Sequence, residues 1–263
     1  MGISPVHLLE SLAVGLTGGV ASGLLGVSPG GILVPITILV LGCEQHVAQG
    51  VSLFAQIPPT SLSGIKRYRE HGSAVPLRWL LLLATGFVVG GPVGALAAGS
   101  VADPVLRWTY VVYLTALEIL LLVRSRNRGS DTTSAAGERT DPHGLALVAV
   151  GLIAGFSSGF MGIGGGLAIT VGLSGALKVA QHRAQAVSLV VSLIPLTLPA
   201  AWVYWHQGWS IPWPVVGAVV IGLWVGTDLG ARLANGVRED TLRRILAGLV
   251  LLFAIYMAYK ALT

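Results

Sequence analysis

Two nine-residue segments bring glutamine, histidine and serine together among otherwise apolar stretches of this sequence. Gln45-His46-Val47-Ala48-Gln49-Gly50-Val51-Ser52-Leu53 returns as Gln181-His182-Arg183-Ala184-Gln185-Ala186-Val187-Ser188-Leu189, identical at seven of nine positions. His46, Gln49, Ser52 and Gln56 recur at helical spacing, within an arc of about 120° at 100° per residue. Their counterparts are His182, Gln185, Ser188 and Ser192. Amides and hydroxyls of this kind suit a solute that must be held and then released, and they serve equally to hydrogen-bond one helix to another. The two histidines are candidates for proton coupling, because imidazole exchanges protons near neutral pH. Capping a helix end is the simpler role for them.

A second pair of features is built from glycine. Val27-Ser28-Pro29-Gly30-Gly31 and Gly162-Ile163-Gly164-Gly165-Gly166 each interrupt a long apolar run. A helix that starts there leaves its first N–H groups without intrahelical acceptors, at the positive end of its dipole. An oxyanion satisfies both. Gly30, Gly31, Gly164, Gly165 and Gly166 let backbone approach a ligand without side-chain obstruction, and Ser28 adds a hydroxyl. The candidate substrate-binding residues are therefore Ser28, Gly30, Gly31, Gln49, Ser52, Gly164, Gly165, Gly166, Gln185 and Ser188. His46, His182 and Asp228 are the candidates for moving protons. The alternative for the glycines is that they only bend or pack helices.

The elements that position these groups follow from composition. Of 263 residues, 54% are hydrophobic and 10% charged, with mean hydropathy +0.79. A soluble fold has about a quarter charged residues and could not cover itself with so few. The net charge of +5 does not indicate nucleic acid, because the basic residues form no stripe or recognition motif. The single cysteine, Cys43, excludes an internal disulfide and a cysteine metal cluster. No basic n-region precedes the first apolar run, which reads as a membrane helix and not a cleaved leader. No metal or cofactor is expected.

Residues 11–43 and 144–177 contain no Asp, Glu, Lys or Arg. As one helix, the first run would measure about 50 Å, too long for a ~30 Å hydrocarbon core, so both must break at the glycine elements. Five apolar segments result in each half: near 5–27, 30–42, 46–65, 76–99 and 104–123, then near 143–163, 165–178, 182–205, 211–233 and 240–261. The second in each half is short enough to be a half-helix. If every segment crosses and the N-terminus lies outside, all Lys and Arg except Arg107 and Lys260 fall on the cytoplasmic side. An odd number of crossings inverts the second half relative to the first. The expected fold is an all-α polytopic membrane protein of two inverted-topology repeats, 1–123 and 143–263, joined by a polar cytoplasmic linker, 124–142.

One offset of 136 residues relates the halves throughout. It pairs Gly15, Gly19 and Gly23 with Gly151, Gly155 and Gly159, and Gly86, Gly90 and Gly94 with Gly222, Gly226 and Gly230. It also pairs Pro59, Tyr68, Gly72 and Pro76 with Pro195, Tyr204, Gly208 and Pro212. The glycine rows at every fourth residue are helix-packing faces. Duplicated, inverted halves with matching breaks are a transporter architecture, since a site between them can open to each side in turn.

Across nearly its whole length the chain resembles the sulfite exporter TauE/SafE family. The residues that carry the resemblance are Gly162-Ile163-Gly164-Gly165-Gly166 after Gly155 to Gly159, the partner element ending Gly30-Gly31-Ile32-Leu33-Val34-Pro35, the two polar segments, and the Tyr-x-x-x-Gly turns. The resemblance implies movement of sulfite, thiosulfate or organosulfonates such as sulfoacetate across the cytoplasmic membrane, with no enzymatic activity. Ser28-Pro29 departs from the pattern, standing where glycines are expected.

Other residues read more simply. Asp228 and Arg232 are spaced for an i,i+4 ion pair. Glu118 lies deep in its segment, where a protonated carboxyl is the simplest state. Trp202, Trp205, Trp209 and Trp213 surround the turn at His206 as an interfacial belt. Two rivals remain. An anion channel can use the same inverted halves. A serine hydrolase is suggested by Gly155-Phe156-Ser157-Ser158-Gly159, although that motif needs a strained strand-to-helix turn and here lies within an apolar helix.

Overall fold

A computed structural model describes residues 5–25, 28–59, 76–127, 142–179, 181–234, 248 and 251–260. The described residues form helices: α1 Pro5–Leu25, α2 Gly30–Leu41, α3 Gln45–Ala55, α4 Leu77–Gly99, α5 Asp103–Asn127, α6 Gly144–Met161, α7 Gly166–Val171, α8 Gln181–Val191, α9 Leu198–His206, α10 Trp213–Ala234 and α11 Leu251–Lys260. A π turn, Gly172–Ala176, extends α7. The segments Leu77–Gly99, Gly144–Met161 and Trp213–Leu233 are each long and apolar enough to cross a membrane. Their outer faces carry exposed Leu81, Val88, Val89, Ile153, Phe156, Ile221 and Trp224. Such a continuous apolar surface is compatible with lipid and not with water. The protein is an all-α membrane protein.

Two glycine seams hold the fold together, and both run between the sequence halves. At Gly86, Gly90 and Gly94 of α4, an added Cβ would strike the α6 backbone at Val148, Leu152 and Phe156 in turn. At Gly15, Gly19 and Gly23 of α1, it would strike the α10 backbone at Val219, Leu223 and Thr227. Lipid tails are as apolar as leucine, so helices in a bilayer gain little from burying apolar surface. Close backbone approach through small residues supplies the contact instead. Residue numbers rise together along both seams, so the paired helices run parallel. That is the direction expected if α1 and α10 are odd crossings and α4 and α6 even ones.

Helix α4 also serves as a ruler for the inversion. His46, at the start of α3, bonds to the Ala98 carbonyl near the end of α4. Arg183, at the start of α8, stacks its guanidinium 4.3 Å over Trp79 near the beginning of α4. These points are about 29 Å apart at 1.5 Å per residue. The matching helices α3 and α8 thus enter from opposite ends, and both finish near the glycine breaks: Gln56 meets Ser28 at 2.9 Å, and Ser188 meets the Gly166 carbonyl at 2.7 Å.

The helices differ from the sequence reading in the third segment of each half. These are the apolar segments 46–65, of which 60–65 lie outside the described residues, and 182–205. In the structure α3 stops at Ala55, and α8 and α9 are separated by a non-helical stretch at 192–197. Proline accounts for both. Pro58-Pro59 and Pro195 lack an N–H, and the residue before a proline is disfavoured in the α region. The second segments are half-helices: α2 has 12 residues and Gly166–Ala176 spans α7 and its π turn. Each is about 16–18 Å long, roughly half the hydrocarbon thickness.

Candidate functional site

The first break enters α2 through Pro29, which takes a right-handed conformation, φ −67° and ψ −22°. Proline suits this position because its missing N–H would have had no intrahelical acceptor. The second break follows α6, which ends on Gly162 in the left-handed region, φ 74°, its N–H donating to the Ser158 carbonyl. Gly164 and Gly165 are also left-handed, at φ 76° and 69°. Neither α2 nor α7 has a side-chain cap. In α2 the Ile32 and Leu33 amides donate to the Pro29 carbonyl at 3.0 and 2.9 Å, and the Gly30 and Gly31 amides have no acceptor among the described residues, as the first positions of a helix without a cap do.

The two breaks are in contact. A Cβ on Gly166 would lie 3.0 Å from Ser28 Cβ, 3.3 Å from Ser188 Oγ and 3.8 Å from Ser192 Oγ. A Cβ on Gly30 would press on Ile163 and on Gln56 Nε2. Ser28 Oγ lies 3.0 Å from the Ile163 carbonyl and 2.9 Å from Gln56 Oε1, and its single proton serves one of them at a time. The structure thus brings Ser28, Gly30, Gly164, Gly165, Gly166 and Ser188 into one cluster.

The polar face of α3 is turned inward, with His46 3%, Gln49 0% and Ser52 0% exposed. Its donors are engaged by peptide carbonyls at the end of α6 and in the second break. Ser52 Oγ donates to Gly162 O at 2.7 Å, and Gln56 Nε2 shares itself between the Ser52 and Gly162 carbonyls. Gln49 Nε2 donates to Phe160 O at 3.2 Å. Tyr204 Oη stands 2.8 Å from Gln49 Oε1 and 3.0 Å from Gly159 O. On the other side Ser188 Oγ donates to Gly166 O. In this state the side-chain donors hold the broken backbone in place, and the amides at the first positions of each helix, Gly30 and Gly31 in α2, are left without acceptors among the described residues.

His46 lies away from this cluster, at the C-terminal end of α4. Asp103 Oδ1 is 2.6 Å from Nδ1 and Ala98 O is 3.0 Å from Nε2. Trp209 stacks on the ring at 4.0 Å, 5° from parallel, and Arg107 reaches Asp103 from one turn along α5. A cleft lined by Glu44, His46, Ser100, Asp103 and Trp209 opens here. Asp228 pairs with Arg232 at 2.7 Å, with both side chains largely exposed. The His182, Gln185 and Glu118 side chains lie outside the described residues, as do 128–141 of the linker. Ser157 sits within the regular helix α6 and not on a nucleophile elbow.

Several residues of this site escaped the sequence reading. Tyr110 donates to Gly30 O at 3.1 Å, tying α5 to the start of α2, and Asp103 caps α3 by accepting from the Gln45 amide at 3.2 Å. Tyr204 had a signal, since the repeat pairs it with Tyr68. Tyr110 and Asp103 had none, because a tyrosine in an apolar segment reads as packing, and an aspartate before a proline as a helix start.

The model of the family described as "Sulfite exporter TauE/SafE" matches residues 11–257. Probable membrane transporter protein YdhB of Bacillus subtilis is 25% identical over 246 residues, covering 89% of this chain and 96% of that one. Probable membrane transporter protein MJ0441 of Methanocaldococcus jannaschii is 24% identical over 263 residues, covering 94% and 93%. No solved structure matches.

Proposed function

We propose that this chain, which belongs to the sulfite exporter TauE/SafE family, moves a small sulfur oxyanion or organosulfonate through a site between its two glycine breaks. The coarser statement is firm: the protein is a multi-pass membrane transporter and not an enzyme. The observation that carries the finer one is the contact between Ser28 and Gly166, which sets two uncapped helix starts from oppositely directed elements against each other. Peptide N–H groups and helix dipoles there favour a negative solute. The absence of a cation from the described contacts of either break suits a ligand that must also leave.

Transport proceeds by alternating access. The halves, 1–123 and 143–263, rock about the glycine seams, with the linker 124–142 on the cytoplasmic side of the inner or plasma membrane. Gln49, Ser52 and Ser188 act by holding the breaks open or shut. The His46–Trp209 stack closes the outer end and the Arg183–Trp79 stack the inner end. His46, His182 and Asp228 are the groups through which protons could be coupled. Of these His46 has the most suitable setting, because Asp103 Oδ1 and the Ala98 carbonyl stand within hydrogen-bond distance of its two ring nitrogens.

The test is binding followed by flux. Purified protein is melted with sulfite, thiosulfate, sulfate, sulfoacetate, taurine and acetate, and the stabilising solutes are then followed in proteoliposomes. Saturation and trans-stimulation are expected. Flux at channel rates without trans-stimulation assigns the same halves to a pore, and no response to any oxyanion removes the anion site.

A further inference from the structure

We propose that the Tyr113 hydroxyl is the side-chain donor of the oxyanion site at the start of α2, and that this site takes a singly charged oxyanion in preference to a dianion. The inference deepens the reading of the glycine breaks as a binding site and rests on it.

Tyr113 Oη is shielded from solvent and makes no hydrogen bond among the described residues. A shielded hydroxyl without a partner is costly, and native structures rarely keep one without a use. The other tyrosines of this region are satisfied: Tyr110 donates to Gly30 O, and Tyr204 faces Gln49 and Gly159 O. The edge-to-face contact between Tyr110 and Tyr113, with centroids 5.9 Å apart, fixes the ring.

What the unused hydroxyl faces is Gly31. A Cβ added there would stand 3.8 Å from Tyr113 Oη and 4.0 Å from Cε1, and among the described residues it would meet nothing else within 4 Å. Gly30, next to it, is packed against Ile163 and Gln56, and Gly165 against Phe87. The first turn of α2 is thus crowded on one side and open on the other. The open side holds a neutral O–H beside the Gly30 and Gly31 N–H groups, the two amides of that turn that do not donate to the Pro29 carbonyl. The donor belongs to one half only. The 136-residue offset places Leu249 opposite Tyr113 and Leu246 opposite Tyr110, so a ligand meets a phenol on one side alone.

Charge selection follows from what the site lacks. Among the described residues, no Lys or Arg touches either break. The cost of removing an ion from water grows with the square of its charge. Dipoles without a countercharge offset that cost for a monoanion far better than for a dianion. A sulfonate or hydrogensulfite fits and sulfate does not.

The experiment uses the purified full chain, with methanesulfonate and sulfate as probes and melting temperature as the readout. Wild-type protein should be stabilised by methanesulfonate at concentrations where sulfate has no effect. Tyr113→Phe keeps the ring and breaks no protein hydrogen bond. Its ligand-free melting temperature should equal or exceed the wild-type value, while methanesulfonate affinity falls about tenfold. Gly31→Ala puts a methyl group into the open space without a clash and should weaken binding similarly in a folded protein. Unchanged methanesulfonate affinity in Tyr113→Phe overturns the tyrosine assignment and leaves the parent site standing. A ligand-free destabilisation as large as that of Tyr110→Phe also overturns it, by making Tyr113 structural. Sulfate bound as tightly as methanesulfonate overturns the charge selection. If wild-type protein answers to neither probe nor to any oxyanion of the wider panel, the glycine site itself is lost, and this inference goes with it.

Discussion

The two glycine breaks do the same topological work by different means. The second relies on backbone conformation: Gly162, Gly164 and Gly165 all lie in the left-handed region, and α7 has six residues before it loosens into a π turn. The first relies on side-chain chemistry. Pro29 turns the chain in the ordinary right-handed region, Ser28 bonds across to Ile163 or Gln56, and α2 runs 12 residues despite an internal Pro35. A left-handed residue is strained with almost any side chain, so the second break has no room to vary. Gly31 of the first break has open space beside it. If the breaks form the proposed binding site, the second break is its fixed wall and selectivity is set at the first.

The largest effect should come from testing that asymmetry directly. Gly165→Ala adds a methyl to a left-handed residue and drives it into the Phe87 ring. Loss of folded, monodisperse protein is expected on size-exclusion chromatography in detergent, whereas Gly31→Ala elutes like wild type. Equal profiles for the two variants would end the distinction between a rigid and a tunable break. It follows that Gly165 cannot report on binding alone, because its substitution damages the fold first.

Gln56→Ala should come next. Its amide lies at the junction of the two breaks, with Nε2 donating to the Ser52 and Gly162 carbonyls and Oε1 accepting from Ser28. Truncation leaves those groups short of partners, at a cost of about 1–3 kcal/mol. Chemical denaturation should show the loss. If Gln56→Ala is as stable as wild type, the breaks are not held by side-chain bonds, and the first break loses its distinguishing chemistry.

Much of this was legible in the residues, and the rest was hidden for physical reasons. Apolar runs too long for a bilayer located both breaks, because helix rise and membrane thickness are fixed lengths. The inward face of α3 followed from His46, Gln49, Ser52 and Gln56 at helical spacing, since lipid excludes them from its own side. Glycine rows announced packing seams but not their partners: Gly86 of the first half meets α6 of the second, and a small residue carries no address. Pro58-Pro59 and Pro195 did hold the information that the third segments break, but hydropathy outweighed them in the reading. That Tyr113 keeps an unused hydroxyl beside Gly31 could not be read from sequence, because it depends on how α5 lies against α2.

Ser28→Ala and Ser188→Ala make a finer test, since each hydroxyl faces a carbonyl of the second break, Ile163 O or Gly166 O. Each loss should be worth about 1 kcal/mol in denaturation. Ser28→Ala should in addition weaken anion binding, because Ser28 belongs to the tunable break. Equal effects of both on affinity would place selectivity on both sides.

Arg232→Ala should have the smallest effect, and it marks where the machinery ends. The Asp228–Arg232 pair is well formed at 2.7 Å but largely exposed, with side chains 51% and 76% accessible. Exposed i,i+4 pairs contribute about 0.3–0.5 kcal/mol at most. The variant should therefore melt like wild type and transport with an unchanged pH profile. A shifted pH profile at unchanged stability would have a different meaning: the Asp228 carboxylate would then be exchanging protons during the cycle. Part of the coupling would lie at the end of α10, remote from both breaks, and the contrast between a fixed and a tunable break would no longer account for the whole of transport.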